Sequence, residues 1–328
     1  MSLTVEFRRW EWSQASEVLV KAFVGAVVVV LALGLAVGMS GCSSTSSPSE
    51  IIAWYIGATW VSGADFTKGS TLGAALVWDG DDALYTCNGY IAAETAEFWR
   101  YDISADTWTQ LGTPGISPYW STSLAWTGGD EMYVTYGNGA SAFYRYTIST
   151  DTWTAMADFP EHGVRRMGHA LVWPGAGDHV YLAKGNDESV FARYDTTGDS
   201  WEYLASVPQT MGNGSQISWG GGLRIFAAAD HQDFFAYDIA TDQWSTKASY
   251  PDSLHLGAWM CYDHDESLFL AQGDTTNTIW RYDIPGDSWE SIADIPLEMK
   301  RGGTMVSDGE ALYLLPGGGS TDMWVFRK

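Results

Sequence analysis

The sequence predicts an all-β fold, a closed β-propeller of six four-stranded blades, preceded by one N-terminal hydrophobic helix. The first observation behind it is a phrase that recurs as YDISADTW (101–108), YTISTDTW (146–153), YDTTGDSW (194–201), YDIATDQW (237–244) and YDIPGDSW (282–289). Its closing tryptophans, Trp108, Trp153, Trp201, Trp244 and Trp289, lie 45, 48, 43 and 45 residues apart, a period that signals a propeller or a related β repeat. Between these marks, short apolar runs alternate with Gly/Asp turns and show no helical periodicity. Composition agrees: of 328 residues 46% are apolar and 14% aromatic, enough buried surface to exclude disorder. The formal charge of −23 argues against a nucleic-acid partner, because phosphate neutralisation needs clustered cations.

The first element, residues 1–41, reads as a signal peptide or a transmembrane anchor helix. Ala22 to Met39 carries no charge, and 18 residues at a helical rise of about 1.5 Å reach about 27 Å, close to a bilayer core. Arg8, Arg9 and Lys21 precede the run and the next basic residue is Lys68, so the positive-inside bias puts the body outside the cytoplasm, on the periplasmic or extracellular side. Met39-Ser40-Gly41-Cys42 resembles a bacterial lipobox, which implies lipid attachment at Cys42 and removal of everything before it. The alternative is a retained helix, with Trp10 and Trp12 at interfacial depth and Glu6, Glu11 and Glu17 in a segment long for a signal peptide. Both alternatives stay open. Residues 42–58 form a Ser-rich tether that holds the domain within about 50 Å of the membrane.

Residues 59–328 hold the repeat. Each unit opens with a small-residue strand (GAALVW at 73–78, TSLAW at 122–126, HALVW at 169–173, SQISW at 215–219, GAWMCY at 257–262). A Gly/Asp turn follows, then a second strand ending near Gly, a third ending in Tyr-Asp and a fourth opened by the Trp, which together make one blade. The sixth unit, from Arg301, stops after its third strand, while Thr59–Phe66 aligns with the fourth strand of the second copy. The N-terminal strand is therefore expected to complete the last blade and so remove the open sheet edges. The Tyr-Asp pair followed by Trp, with glycines closing the second strand, resembles the kelch repeat over nearly all of 59–328. The second copy departs from it with Tyr146-Thr147, and the fourth has AAAD (227–230) in place of the glycines.

Recognisable chemistry is sparse, and no cofactor, metal or catalytic set is expected. His162, His169, His179, His231, His255 and His264 form no HExxH or His-x-His arrangement, and His179 and His264 read as solvated residues of first hairpin turns. Asp79-Gly80-Asp81-Asp82 and Asp263-His264-Asp265 read as turns rather than cation sites. Cys87 and Cys261 are expected as buried free thiols. The best polar constellation is Arg165, Arg166 and His169, near His162, with Lys300 and Arg301 at the equivalent place in the sixth unit. Kelch resemblance implies that loops entering the innermost strands ring one channel mouth, which makes these residues and Trp120 candidate contacts for a ligand or partner. The periodic tryptophans, Trp60, Trp108, Trp153, Trp201, Trp244 and Trp289, are expected to pack between blades. The resulting expectation is a membrane-tethered protein-interaction scaffold, an accessory subunit of an integral-membrane complex. The competing one is a propeller that binds or turns over an acidic sugar, as resemblance to periplasmic kelch sugar-acid epimerases implies.

Overall fold

The computed structural model describes residues 59–89, 97–115, 122–136, 142–160, 169–292 and 294–327, which lie in one compact unit spanning Ala58–Lys328. The proposed helix at 22–39, Cys42 and the tether 42–58 lie outside the described residues. No helix among the described residues is long and apolar enough to cross a membrane.

Among the described residues there are six antiparallel four-stranded sheets. Their first strands are Ala75–Trp78, Thr122–Trp126, Ala170–Val172, Gln216–Trp219, Trp259–Tyr262 and Thr304–Ser307, each beside the next around a central channel. Blades are numbered one to six in that order. Five are built from consecutive strands. Blade six takes its fourth strand from the other end of the chain, where Thr59–Ser62 pairs with Trp324–Arg327 in the register Trp60↔Phe326.

Burial explains the run of residues in each strand. Second strands such as Ala83–Cys87 and Ala311–Leu315 are buried along their whole length, because neighbouring blades cover both faces of the sheet. Fourth strands such as Thr107–Leu111 stand at the outer edge, and within them the periodic Trp is half-buried between exposed neighbours. The core is accordingly divided among blade interfaces, with clusters between blades one and two, two and three, three and four, four and five, and six and one.

The repeated phrase acts as a clip between blades. Its Tyr hydroxyl donates to the Asp five residues later in every copy: Tyr101 to Asp106 at 2.6 Å, Tyr146 to Asp151 at 2.9 Å, Tyr194 to Asp199 at 2.6 Å, Tyr237 to Asp242 at 2.8 Å and Tyr282 to Asp287 at 2.6 Å. Each of these aspartates sits at φ between 48° and 53°, a left-handed conformation that Asp tolerates better than most residues. The same carboxylate accepts a backbone N–H from the preceding blade, at Ala64, Gly112, Ala157, Ala205 and Ala248 in turn. The phrase's Trp then donates its indole N–H to the carbonyl of that same residue, at 2.8–2.9 Å throughout. One residue of each blade is thus held at both its N–H and its C=O by the next. Ring contacts reinforce the clip, with Trp108 4.7 Å from Phe66, Trp153 5.0 Å from Phe98, Trp201 4.9 Å from Phe143 and Trp244 5.1 Å from Phe191.

The first Asp of the phrase serves the hairpin itself. Asp102, Asp195 and Asp238 accept backbone N–H groups two or three residues on, and these bonds hold Asp102 and Asp195 below the usual carboxylate range. Thr147 has no carboxylate to offer. Its hairpin runs through a one-turn 3₁₀ segment, Ile148–Thr150, and keeps the bond from the Ser149 N–H to Asp130 of the neighbouring turn at 2.7 Å, as Ser104 keeps one to Asp82 in blade one.

Candidate functional site: an aromatic cup in the central channel

The first strands are the innermost, so whatever their residues present to the axis lines the channel. Small and apolar side chains such as Ala75, Ala125 and Ala170 let six strands converge, and the last position of each strand decides what the channel mouth is made of. Four blades place tryptophan there or one residue beyond: Trp78, Trp126, Trp173 and Trp219. Blade five places Tyr262 and blade six Ser307. They line a cavity of about 420 Å³, within the usual range of small-molecule clefts.

The rings of Trp126, Trp173 and Trp219 lean over the first hairpin turn of the blade before them. A Cβ on Gly80 would lie 2.2 Å from Trp126, and one on Gly175 would lie 2.3 Å from Trp219, and both turn residues have positive φ, so glycine is favoured beneath these rings. The indole N–H groups are used up locally: Trp78 donates to the Asp81 carbonyl at 2.8 Å, Trp126 to Gly129 at 2.8 Å, Trp173 to Gly177 at 2.9 Å and Trp219 to Gly222 at 3.0 Å. The Tyr262 hydroxyl donates to the Asp265 carbonyl.

His264 completes the ring. It occupies the turn position that is glycine in the other blades, at φ 63°, next to the blade whose strand ends in the small Ser307. Its Nε2 donates to the Ser307 carbonyl at 3.2 Å, which requires the proton on that nitrogen. Its ring stands edge-on to Trp78 at 5.0 Å, between Trp78 and Tyr262, which is 5.5 Å away. His264 stands in the first hairpin turn and is exposed, as expected, and it also forms part of the channel wall. His179 instead opens a second strand, half-buried.

Trp259 closes the floor. It belongs to blade five, packs against the cluster between blades one and two, and lines both this cavity and a second of about 50 Å³ at the other end. The smaller one lies where the chain enters the first strands and is walled by Ala74, Thr122, His169 and Gly303.

That second end is where the sequence placed its polar constellation. His169 is there but buried, only 4% exposed, with Nε2 2.9 Å from the Thr135 hydroxyl. Lys300 and Arg301 are exposed and form no ion pair with a described residue. Arg165, Arg166, His162 and Trp120 lie outside the described residues. Of the tryptophans outside the repeat, Trp280 is buried in the core at 3% exposure, and Trp99 is half-buried with its N–H on Glu97 at 3.0 Å.

The acidic turns serve the backbone. Asp79 accepts from the N–H groups of Asp81 and Ala83, Asp263 from those of Asp265 and Ser267, and Asp308 from those of Glu310 and Ala311. Burial raises the Asp79 carboxyl above its ordinary value against the pull of these donors. Cys87 and Cys261 are buried and neither is in a disulfide, and burial pushes the Cys87 thiol up to about 12.

The aromatic cup was the feature sequence reasoning missed. Its signal was the tryptophan ending four of the opening strands, always just before the turn and out of phase with the tryptophan of the repeated phrase.

No protein-family model matches the chain, and no curated protein matches it. Among solved structures it is similar to one described as "Structure of YjhT", with a TM-score of 0.60 at 14% identity, covering 79% of this chain and 93% of that one. At that identity the likeness establishes the fold alone: the chain is a six-bladed β-propeller.

Proposed function

We propose that the chain is a membrane-tethered, extracytoplasmic, kelch-like propeller that works as a protein-interaction scaffold, an accessory subunit of an integral-membrane complex. Its role is not catalytic. The observation that carries this reading is the uncharged run at 22–39, set only a short tether before Thr59–Ser62, the strand that closes the ring. A head clipped at successive blade interfaces and held that close to lipid cannot range far. Its charge of −23 makes anionic headgroups repel it, so a protein surface is the favourable thing to rest on. Purification of the full chain from its native membranes in mild detergent tests this: a stoichiometric integral-membrane partner retained through two chromatographic steps is expected, and a head that elutes alone overturns it. Intact mass of the same material separates an acylated Cys42 start from a retained Met1.

A second reading rests on the exposed Lys300 and Arg301, which with Arg165 and Arg166 would receive an acidic sugar. A glycan-binding screen of the parent against the Arg165→Ala, Arg166→Ala double variant tests it. Binding or turnover lost in the variant would replace the scaffold reading.

A further inference from the structure

We propose that the aromatic cup is a binding site for an alkylammonium cation, a trimethylammonium group being the best fit. The inference stands apart from the scaffold role and does not depend on the tether.

The wall decides the ligand class by what it lacks. Every indole N–H of Trp78, Trp126, Trp173 and Trp219 is spent on a turn carbonyl, and the Tyr262 hydroxyl likewise. Of the hydroxyls deeper in the cup, Ser218 donates to the Trp219 carbonyl, while Ser123 and Ser307 accept the Leu171 and Gly309 N–H groups and keep their own protons to donate. A carboxylate or phosphate would surrender hydration there and find in return no lysine or arginine among the described residues, and a sugar only these two hydroxyls and the Gln216 amide. A quaternary ammonium has no hydrogen bond to lose, and its charge is attracted to aromatic faces, most strongly to those of tryptophan.

The charge around the cup has the matching sign. The turns that form the rim carry Asp81, Asp265, Glu266 and Glu310, all exposed, with Arg224 the one Lys or Arg of these turns among the described residues. An anion would meet a repulsive potential at this mouth, and a cation an attractive one. A neutral apolar ligand would gain burial but nothing from the rim, which is why the cation is favoured.

Calorimetric titration of the full chain, in a maltoside detergent free of ammonium groups, compares choline with its neutral isostere 3,3-dimethylbutan-1-ol. Choline is expected to bind with a Kd at or below about 1 mM and at least about tenfold more tightly than the isostere. Equal binding of the two, or no saturable choline binding, overturns the proposal. Trp126→Leu keeps an apolar wall but removes one π face, and is expected to weaken choline severalfold while leaving the isostere unchanged. If that variant does not fold, Asp81→Asn with Asp265→Asn alters only exposed carboxylates. It should weaken choline, more so at low salt, and an unchanged affinity in that double variant counts against the proposal. Phosphatidylcholine vesicles added as competitor name the source. Displacement of choline points to a lipid headgroup and persistence to a soluble ammonium, and either result supports the cage.

Discussion

The interblade clip makes a quantitative prediction at Tyr194. This side chain is fully buried, and its hydroxyl reaches Asp199 at 2.6 Å, where the carboxylate also takes the Ala157 N–H at 2.7 Å. Tyr194→Phe removes one hydrogen bond to a charged acceptor and leaves no cavity. Such bonds contribute about 1.5–3 kcal/mol, and the exposed position of Asp199 argues for the lower end, about 1.5 kcal/mol. For a domain this large that corresponds to a fall of about 3–6 °C in melting temperature. Trp201→Phe severs the other half of the clip, the 2.9 Å bond to the Ala157 carbonyl, so the two substitutions should couple by about 0.5 kcal/mol or more in a double-mutant cycle. Guanidinium denaturation followed by far-UV circular dichroism reads both. Phe326→Tyr is the control. Phe326 stands at the same register position opposite Trp60, but no left-handed aspartate follows it, so a hydroxyl there should destabilise. A loss at Tyr194 under about 0.3 kcal/mol, or a gain at Phe326, would refute the assignment of the clip as a stabilising device.

Other outcomes follow from the same geometry. Asp199 is held below the usual carboxylate range by the Tyr194 hydroxyl and the Ala157 N–H; Asp287 is held there against opposing burial by the Ala248 N–H and the Tyr282 hydroxyl. Both take up protons less readily folded than unfolded. Their contribution is therefore full above about pH 4 and is lost as pH falls through the lower folded values, so melting temperature should drop more steeply there in the parent than in Tyr282→Phe. Gly302→Ala would set a Cβ 1.9 Å from the Thr71 carbonyl at φ +83°, and should cost about 3 kcal/mol or more, whereas Gly115→Ala, with open space at φ +72°, should cost about 1 kcal/mol in the same denaturation assay. Native Cys87 should resist iodoacetamide at neutral pH and react fully once unfolded, by intact mass, because burial keeps its thiol protonated.

The blade repeat was legible because it is written in residues with narrow conformational roles. A left-handed Asp, a buried Tyr five residues before it and a Trp two after recur in register, and the spacing of Trp60 to Trp108 placed the closing strand at the right end of the chain. The site was less legible. Tryptophans at 78, 126, 173 and 219 stood in view as strand ends, but a strand pattern alone does not tell whether a terminal side chain turns toward the axis or along the sheet. His264 was harder still, since its role depends on Ser307 being small in the next blade, a relation between residues 43 apart that no local pattern records. Of the constellation around His169, only His169, Lys300 and Arg301 are among the described residues; a residue at the start of an innermost strand alternates between channel and blade, and His169 packs onto Thr135.

Closure concentrates weakness in one blade. Where the other five end in a hairpin carrying the Tyr and the left-handed Asp, blade six ends in Phe326 and borrows Thr59–Ser62, so neither the hydroxyl nor the carboxylate of the clip exists there. The indole N–H groups of Trp60 and Trp324, both in this sheet, are buried with no hydrogen-bond partner among the described residues, and residue 293, where the clip pattern would put the acceptor for Trp60, lies outside them. The chain offsets the weakness by prolonging the closure beyond the strand. Gly63 and Phe66 donate to the Met323 and Thr321 carbonyls, Ser70 pairs with Ser320, and the Ser70 hydroxyl takes the Gly317 N–H at 2.9 Å. Eight residues past the paired strand, the N-terminal segment is still bound to the C-terminal one, so opening the ring means peeling away this whole seam rather than four residue pairs.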